Sequence, residues 1–478
     1  MNQTTDPAAL PENGSANSRK STFNSVNIVR YIAVLAAAVI FAVYAFGHEN
    51  EYSWYEFIPA LLALALFTGI FIAAVPRLIS LLSGGDLIVP TAVRRGVRFR
   101  NFLLIAFGAL ALHLLTYIVG AALFSVNNGE GDLMTRIAQN WSSAWMKPNT
   151  DAQHYINIAE NWYRADGDER LLLVFFPMFP LCIRAFNIVF RDSYVSAFVI
   201  NSIAAALASG MTYLTLLPVL GSKRSKAAAF IALLLPGAIF FNSPMTEPLF
   251  LLFSLCGFFF MQKRNYIAAG LFTALAGFTR SLGVLLAVPI ALVGIGHIVG
   301  LVREKKPAGR TAALLIAGLF ISILGTLGYL AINWSLHGDP LKFLEFQRDN
   351  WYQQACPFFD TPRYMINYLL LLIKDKPDNV ISLWIPGLIA VFGSLALMLC
   401  KARKLPASYT VYFLCYFAVS IGCTWLLSSV RYLCAAVPLI AAIADSCDKR
   451  WKTAVIMLCL VPVYIVYVSM YMRWMAIY

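Results

Sequence analysis

Charge is what this sequence has least of. Only 13% of its 478 residues are Asp, Glu, Lys or Arg, against 60% apolar or aromatic. A soluble domain of that length could not cover its surface with so few charges, and the mean hydropathy of +0.70 points the same way. None of the nine cysteines forms a C-x-x-C pair, and most sit inside apolar runs. They read as small core residues, not as a disulfide frame or metal site. The ten-residue alternation of a transmembrane barrel is missing. So are a Walker loop, a G-x-G-x-x-G turn and an H-E-x-x-H helix, so nothing points to a nucleotide bound on the cytoplasmic side. Residues 1–24 lack an apolar centre, which predicts a disordered tail and not a cleaved signal peptide.

What is present is a series of apolar runs of roughly 15 to 23 residues, the length that crosses about 30 Å of hydrocarbon. They fall at 27–46, 56–76, 102–124, 194–219, 227–242, 246–262, 266–279, 282–301, 311–333, 380–400, 407–427, 432–446 and 453–473. The expected fold is all-α, a polytopic membrane helix bundle of about thirteen spans. The short runs 266–279 and 432–446 read as tilted, broken or partly re-entrant. Residues 25–101 would hold two accessory spans and 102–478 the main membrane domain.

The net charge of +13 would suggest nucleic acid in a soluble protein. Here Lys and Arg collect in short turns, and no nucleic-acid partner is expected. The loop 77–100 carries five arginines (Arg77, Arg94, Arg95, Arg98 and Arg100) against Asp86. With that loop and the N-terminus cytoplasmic, the basic turns at 223–226, 263–264, 303–310, 401–404 and 449–452 all fall on the same side, as the positive-inside rule requires. The outer side then holds two long loops, 125–193 and 334–379, with the short turns 242–247, 280–281 and 428–431. Both long loops are rich in aromatic residues and proline, which argues for packing at the interface through amphipathic helices and against disorder. Residues 173–190 are apolar but interrupted by Pro177 and Pro180, so they read as a re-entrant or interfacial helix.

Four constellations on that outer side carry possible chemistry. The first begins at Asn149 and runs Thr150-Asp151-Ala-Gln-His154-Tyr155 to Trp162. Asp151 has His154 and Tyr155 three and four residues on, hence on one side of a helix. A carboxylate beside an imidazole at the membrane surface is placed to take a proton from a hydroxyl, or Asp151 is only a helix N-cap. The second is Phe175-Phe176-Pro177-Met178-Phe179-Pro180 with Arg184. It is a packing break, or the rim of a lipid-accessible groove with Arg184 near a phosphate. The third is Asn242-Ser-Pro-Met-Thr246-Glu247-Pro248, where Glu247 either complements a helix N-terminus or marks a site at membrane depth. The fourth is the pair Arg280 and Arg431-Tyr432, two arginines on the side where the other turns are not basic. Each needs a partner, either a phosphate or a carboxylate such as Glu247.

These segments resemble the GPI mannosyltransferase 2 family and its bacterial relatives, within the larger group of GT-C membrane glycosyltransferases. Asp151-Ala-Gln-His154-Tyr155-Ile-Asn-Ile-Ala159 is similar to that family's D-A-x-H-[FY]-x-x-I-A. Phe175 to Pro180 is similar to its F-F-P-x-[FY]-P, and Asn242 to Glu247 to its turn ending in [ST]-E. Arg280-Ser281 and Arg431-Tyr432 lie where the family has similar pairs. Thr150 stands where the family usually has Trp, and the third turn is shorter than usual. The resemblance covers roughly residues 102–446. It implies a GT-C-type bundle and inverting transfer of a sugar, mannose first, from a polyprenyl-phosphate carrier to a hydroxyl acceptor at the outer face.

The resemblance places the catalytic carboxyl group at Asp151. Read from the residues themselves, His154 would aid Asp151 as base, Arg431, Arg280 and Arg184 would bind the donor phosphate, and Tyr155, Asn242, Glu247 and Tyr432 would bind substrate. A lipid-linked donor needs only the membrane, and no metal or other cofactor is required. The expected partners are the lipid-linked sugar, a lipid, glycan or protein acceptor, and membrane lipids. The expected location is a bacterial plasma membrane with the site outward. Two alternatives stay open. One is a lipid or solute transporter, whose ionisable groups would lie near the midplane. The other is a protein O-glycosyltransferase of another GT-C branch, for which Asp166-Gly-Asp168-Glu169 would supply adjacent acids.

Overall fold

The computed structural model describes residues 13–85, 93–148 and 150–478, with the backbone alone for 13–24. The first twelve residues of the expected tail, Asp86 of the first basic loop, and Asn149 at the head of the first motif lie outside the described residues. From Asn13 onward the chain is helical, which differs from a tail unstructured up to residue 24. The polar segment prolongs the first span.

Helices α1 (Asn13–Gly47), α2 (Phe57–Leu82) and α3 (Arg95–Ser125) lead into the first long loop. That loop contains α4 (Leu133–Asn140), α5 (Ala152–Asn161), a tight turn at Asp168–Val174 and α6 (Met178–Phe190). Then come α7 (Ser193–Leu220), α8 (Ser222–Leu234), α9 (Glu247–Gln262), α10 (Tyr266–Thr279), α11 (Ala287–Arg303) and α12 (Gly309–His337). The second long loop holds α13 (Lys342–Trp351) and α14 (Thr361–Leu372). Short α15 (Pro377–Asn379) runs through one wide π turn into α16 (Ile385–Lys401), followed by α17 (Ala407–Ile421), α18 (Ser429–Cys434), α19 (Val437–Asp445) and α20 (Arg450–Met472). Among the described residues the one extended pairing is an isolated bridge between Ala355 and Cys423.

Eight of these helices are long and apolar enough to cross a membrane. This is an all-α, multi-pass membrane protein. The other five expected spans are shorter or broken. Residues 227–242 do not form one span. Leu235, held extended (ψ 142°) before Pro236, ends α8 and starts a tight turn, as the residue before proline must leave the helical region. Residues 432–446 divide into the end of α18 and α19 around Ala436. The apolar stretch 173–190 is not a straight span either, because its two helical pieces meet at 110°.

Helices α10 and α12 cross backbone to backbone. A Cβ on Gly270 would lie 2.1 Å from the carbonyl oxygen of Gly318, so only glycine fits. Contacts also sort the helix ends. Arg77 donates to the Leu405 carbonyl at 3.0 Å, Arg303 to the Ser83 carbonyl at 2.6 Å, and Asp445 accepts from Arg224 at 2.6 Å and Lys401 at 2.9 Å. The ends of α2, α7, α11, α16 and α19 therefore meet on one side, which is the side of the basic turns. At about 1.5 Å per residue, α9 carries Glu247 roughly 24 Å from Lys263, at the opposite end.

At that opposite end the α1–α2 hairpin grips the second long loop. Arg363 on α14 bonds Asp360 at 2.6 Å, lies 3.6 Å from Glu56, and stacks over the Tyr52 ring at 3.6 Å. Tyr44 donates to Asp360, and Asn367 to Glu56. The same loop is stitched to the end of α17, with Cys356 N–H donating to the Gly422 carbonyl at 3.2 Å and Thr424 N–H to that of Gln354 at 2.9 Å.

Candidate active site

Four charged side chains from four separate segments converge where α9, α10 and α18 end. Glu247 opens α9, directly after Thr246 and before Pro248, whose missing N–H costs nothing in a first helical turn. Its Oε1 accepts from both Arg280 and Arg431. Arg280 terminates α10 and also reaches Thr246 Oγ1 at 3.2 Å. Arg431 Nη2 continues to Asp151 Oδ2 at 2.6 Å. Side-chain exposure rises from 0% at Glu247 through 5% at Arg431 and 13% at Arg280 to 31% at Asp151. The chain of charges thus runs from a sealed root to an open tip.

Backbone geometry fixes that order. α10 is 14 residues long, roughly 21 Å, and falls short of the ~30 Å needed to cross. Its terminal arginine is therefore recessed. Arg431 rests on the turn Pro236–Phe241, where a Cβ on Gly237 would lie 2.4 Å from the Val430 carbonyl oxygen and 3.0 Å from Arg431 Cα. The Phe240 ring lies 5.3 Å from the Arg431 guanidinium, and Tyr432 lies 4.8 Å from that of Arg280. These faces offset part of the cost of holding cations away from water.

Asp151 stands at the N-cap of α5, but its side chain makes no capping hydrogen bond. It turns to Arg431 instead, so the N-cap reading alone does not account for it. Burial pushes its carboxyl up, but Arg431, His154 and Arg280 more than reverse this and hold it below the usual carboxylate range. His154 stacks on Phe175 at 4.9 Å, and burial holds its imidazole below its ordinary value despite the pull of Asp151. At neutral pH the pair is a carboxylate beside a neutral imidazole.

A cavity of about 390 Å³ opens over this group. Asp151, His154, Tyr155, Arg280, Arg431 and Tyr432 all line it, as do Phe175 and Phe176 of the second motif and Val174 before it. The aromatic residues of that motif also pack, with Phe176 stacked on Tyr329 at 3.9 Å and Tyr163 donating to the Phe175 carbonyl at 2.5 Å. Phe175 and Phe176 thus pack as core residues and also face the cavity, without Arg184. Glu247 lies beneath the cavity, holding the arginines.

Four predicted residues or groups are not brought to the cavity. Glu247, expected to bind substrate, has 0% side-chain exposure and holds the two arginines from below instead. Arg184 is exposed on α6, its guanidinium 5.5 Å from the Trp162 ring, so it does not join the other arginines. Asn242 is buried and donates to the His113 carbonyl at 2.9 Å, tying the turn to α3. The alternative acids lie elsewhere, with Asp166 and Asp168 exposed and Glu169 paired to Arg164 at 2.9 Å.

The sequence reading missed one wall and one edge. Phe343, Gln347 and Trp351 of α13 line the cavity with Gln353, and their four-residue spacing in the loop 334–379 was the available signal. Tyr478 lines it too. Its segment is held by buried Lys147, which donates to the carbonyls of Met475 and Ile477, the second at 3.1 Å. Burial without an acidic partner pushes the Lys147 amine down to about 8. Among the described residues no three His, Cys, Asp or Glu gather as metal ligands would.

Residues 107–336 match the family described as mannosyltransferase (PIG-V). The match takes in the three motifs and Arg280 and ends before Arg431, and it bears out the resemblance read from those motifs. No curated protein matches the sequence. Among solved structures, the chain is similar to ArnT from Cupriavidus metallidurans bound to undecaprenyl phosphate. That pair has 13% identity and a TM-score of 0.45 over 77% of this chain and 74% of the other. It is also similar to the Archaeoglobus fulgidus oligosaccharyltransferase in the apo form, with 14% identity and a TM-score of 0.40 over 76% of this chain and 56% of that one. At such scores neither likeness carries an argument about this site.

Proposed function

We propose that this multi-pass membrane protein, whose residues 107–336 match the PIG-V mannosyltransferase family, is an inverting glycosyltransferase. It moves a sugar, mannose by that match, from a polyprenyl-phosphate carrier to an acceptor hydroxyl. With the basic turns cytoplasmic, the cavity faces outward. The observation that carries this reading is the position of Arg431, bonded to Asp151 on one side and Glu247 on the other at the floor of the cavity.

The charges balance through the step. The donor is a phosphodiester with one negative charge, and its leaving group is a phosphate monoester with about 1.5 to 2. The acceptor oxygen bonds to the anomeric carbon from the face opposite the phosphate. The carbon–oxygen bond to phosphate breaks with its electron pair left on the phosphate. The hydroxyl proton passes to Asp151, directly or by way of the neutral imidazole of His154.

Asp151 loses its charge as the phosphate gains one, so the attraction Arg431 gave to the carboxylate becomes available to the leaving group. Arg280, with Glu247 as shared counter-ion, provides a second cation, and the proposal calls on no metal. A transporter would hold its ionisable groups near the midplane, whereas these four gather at one end of short helices.

The test is incubation of purified protein with labelled polyprenyl-phosphate-mannose and a membrane lipid extract. A new labelled product that disappears in Asp151→Asn is expected. No transfer to any component of the extract would overturn the proposal.

A further inference from the structure

The α13 wall of the cavity has a chemistry unlike that of the floor. Phe343, Gln347 and Trp351 recur every fourth residue, so they share one helix face, and all three line the cavity. Gln347 donates to Gln353 Oε1 at 3.0 Å, and Gln353 donates in turn to the Trp425 carbonyl at 2.9 Å. This relay holds the Gln347 amide in place, and among the described residues nothing donates to its Oε1. Trp351 meets Phe175 edge to face at 5.9 Å, which closes the wall against the α5–α6 side.

The charged residues of α13 turn elsewhere. Arg348 bonds Asp349 at 2.6 Å and Lys342 bonds Glu345 at 2.6 Å, and none of the four lines the cavity. What α13 offers is aromatic faces and amides, with every cavity charge confined to the Asp151–Arg431–Arg280 floor.

We propose that this wall is the subsite that holds the ring of the transferred sugar on the lipid phosphate, with Trp351 packing on its C–H face and Gln347 bonding its hydroxyls. The inference rests on the transferase reading above and adds the sugar's place in it. A hexose presents a C–H face that packs on an aromatic ring and a hydroxyl edge that needs donors and acceptors such as amides. A volume of about 390 Å³ lies near the lower limit of ligand pockets, roughly 300–1,000 Å³. That is room for one sugar and its phosphate. α13 lies beyond residue 336, so the element that holds the sugar is separate from the matched segment carrying the base.

The experiment measures binding of two probes, undecaprenyl phosphate and polyprenyl-phosphate-mannose, to the full chain in nanodiscs. Trp351→Ala and Gln347→Ala should each weaken the mannosylated lipid by about tenfold, the scale of one lost polar or stacking contact. Binding of the sugar-free lipid should stay within about twofold, which also shows that the variants fold. Trp351→Phe should restore most of the loss. Equal losses for both lipids, or none for either, would overturn the subsite alone. Failure of wild type to bind either lipid would remove the transferase reading and this inference with it.

Discussion

Arg431 binds Asp151 and Glu247 simultaneously, through Nη2 to the first at 2.6 Å and through Nε to the second. Lysine keeps the charge but is a point donor on a flexible stem and cannot span two carboxylates with a planar fork. Arg431→Lys should lower kcat by about 10²–10³-fold, the scale of one lost transition-state donor, in a single-turnover assay with labelled donor. Near-normal turnover would mean that the fork is dispensable.

Asp151→Asn keeps the shape and removes the proton acceptor. Turnover should fall by about 10²–10⁴-fold, while donor binding, read by displacement of a labelled lipid, stays within about threefold because Arg431 and Arg280 keep Glu247. A parallel loss of binding would make Asp151 an anchor and not a base.

The two titrating groups both cost stability as pH falls, but in different windows. The folded-state pKa of Asp151 is depressed, so its stabilisation is present above about pH 3.9 and is lost only as pH falls through the lower folded value. His154 is also depressed, but for a base this means that the unfolded chain binds the proton first. Stability therefore declines as pH falls through about 6.5. Wild type should lose thermal stability between about pH 7 and pH 5.5 relative to His154→Gln, with scanning fluorimetry as the readout. Identical profiles would remove the buried imidazole from the account.

A methyl group on Gly237 would meet the Val430 carbonyl oxygen at 2.4 Å and Arg431 Cα at 3.0 Å. Gly237→Ala should therefore displace Arg431, costing about 1–3 kcal/mol of stability by overpacking and at least about tenfold in turnover. Gly393→Ala is the control, since nothing lies within 4 Å of a Cβ there. Equal effects from both would refute positioning by contact.

Arg184 gives the opposite expectation. Its guanidinium lies by Trp162 and away from the cavity, so Arg184→Ala should leave kcat and donor KM within about twofold, as for most surface changes. A large rise in KM would place a phosphate where the structure places solvent.

Most of the floor of this site was legible because charge is so scarce in the chain. Asp151, Glu247, Arg280 and Arg431 stood out against apolar neighbours at span ends, and a single end of the bundle could collect them. Pairing of the arginines with Glu247 was one of the two readings, but that Glu247 takes both arginines and Arg431 also takes Asp151 was not legible. That stoichiometry depends on α10 stopping short and on Gly237 admitting close approach. The broken spans were harder, because apolar runs of intermediate length fit a tilted helix, a kinked one or a tight turn equally well until proline geometry is seen in place. The α13 wall was hidden for another reason. Gln and Trp in an aromatic-rich loop carry no charge anomaly, and their four-residue spacing alone does not say which way that face looks.

The clamp of Tyr44, Tyr52 and Glu56 on α14 sets up a lever. The hairpin α1–α2 precedes the family-matched segment and touches no reacting group, yet it is bolted to the loop that carries α13. Tilting of that hairpin, as a thicker or thinner bilayer would demand, would be carried through Arg363 and Asp360 to the loop that also holds α13.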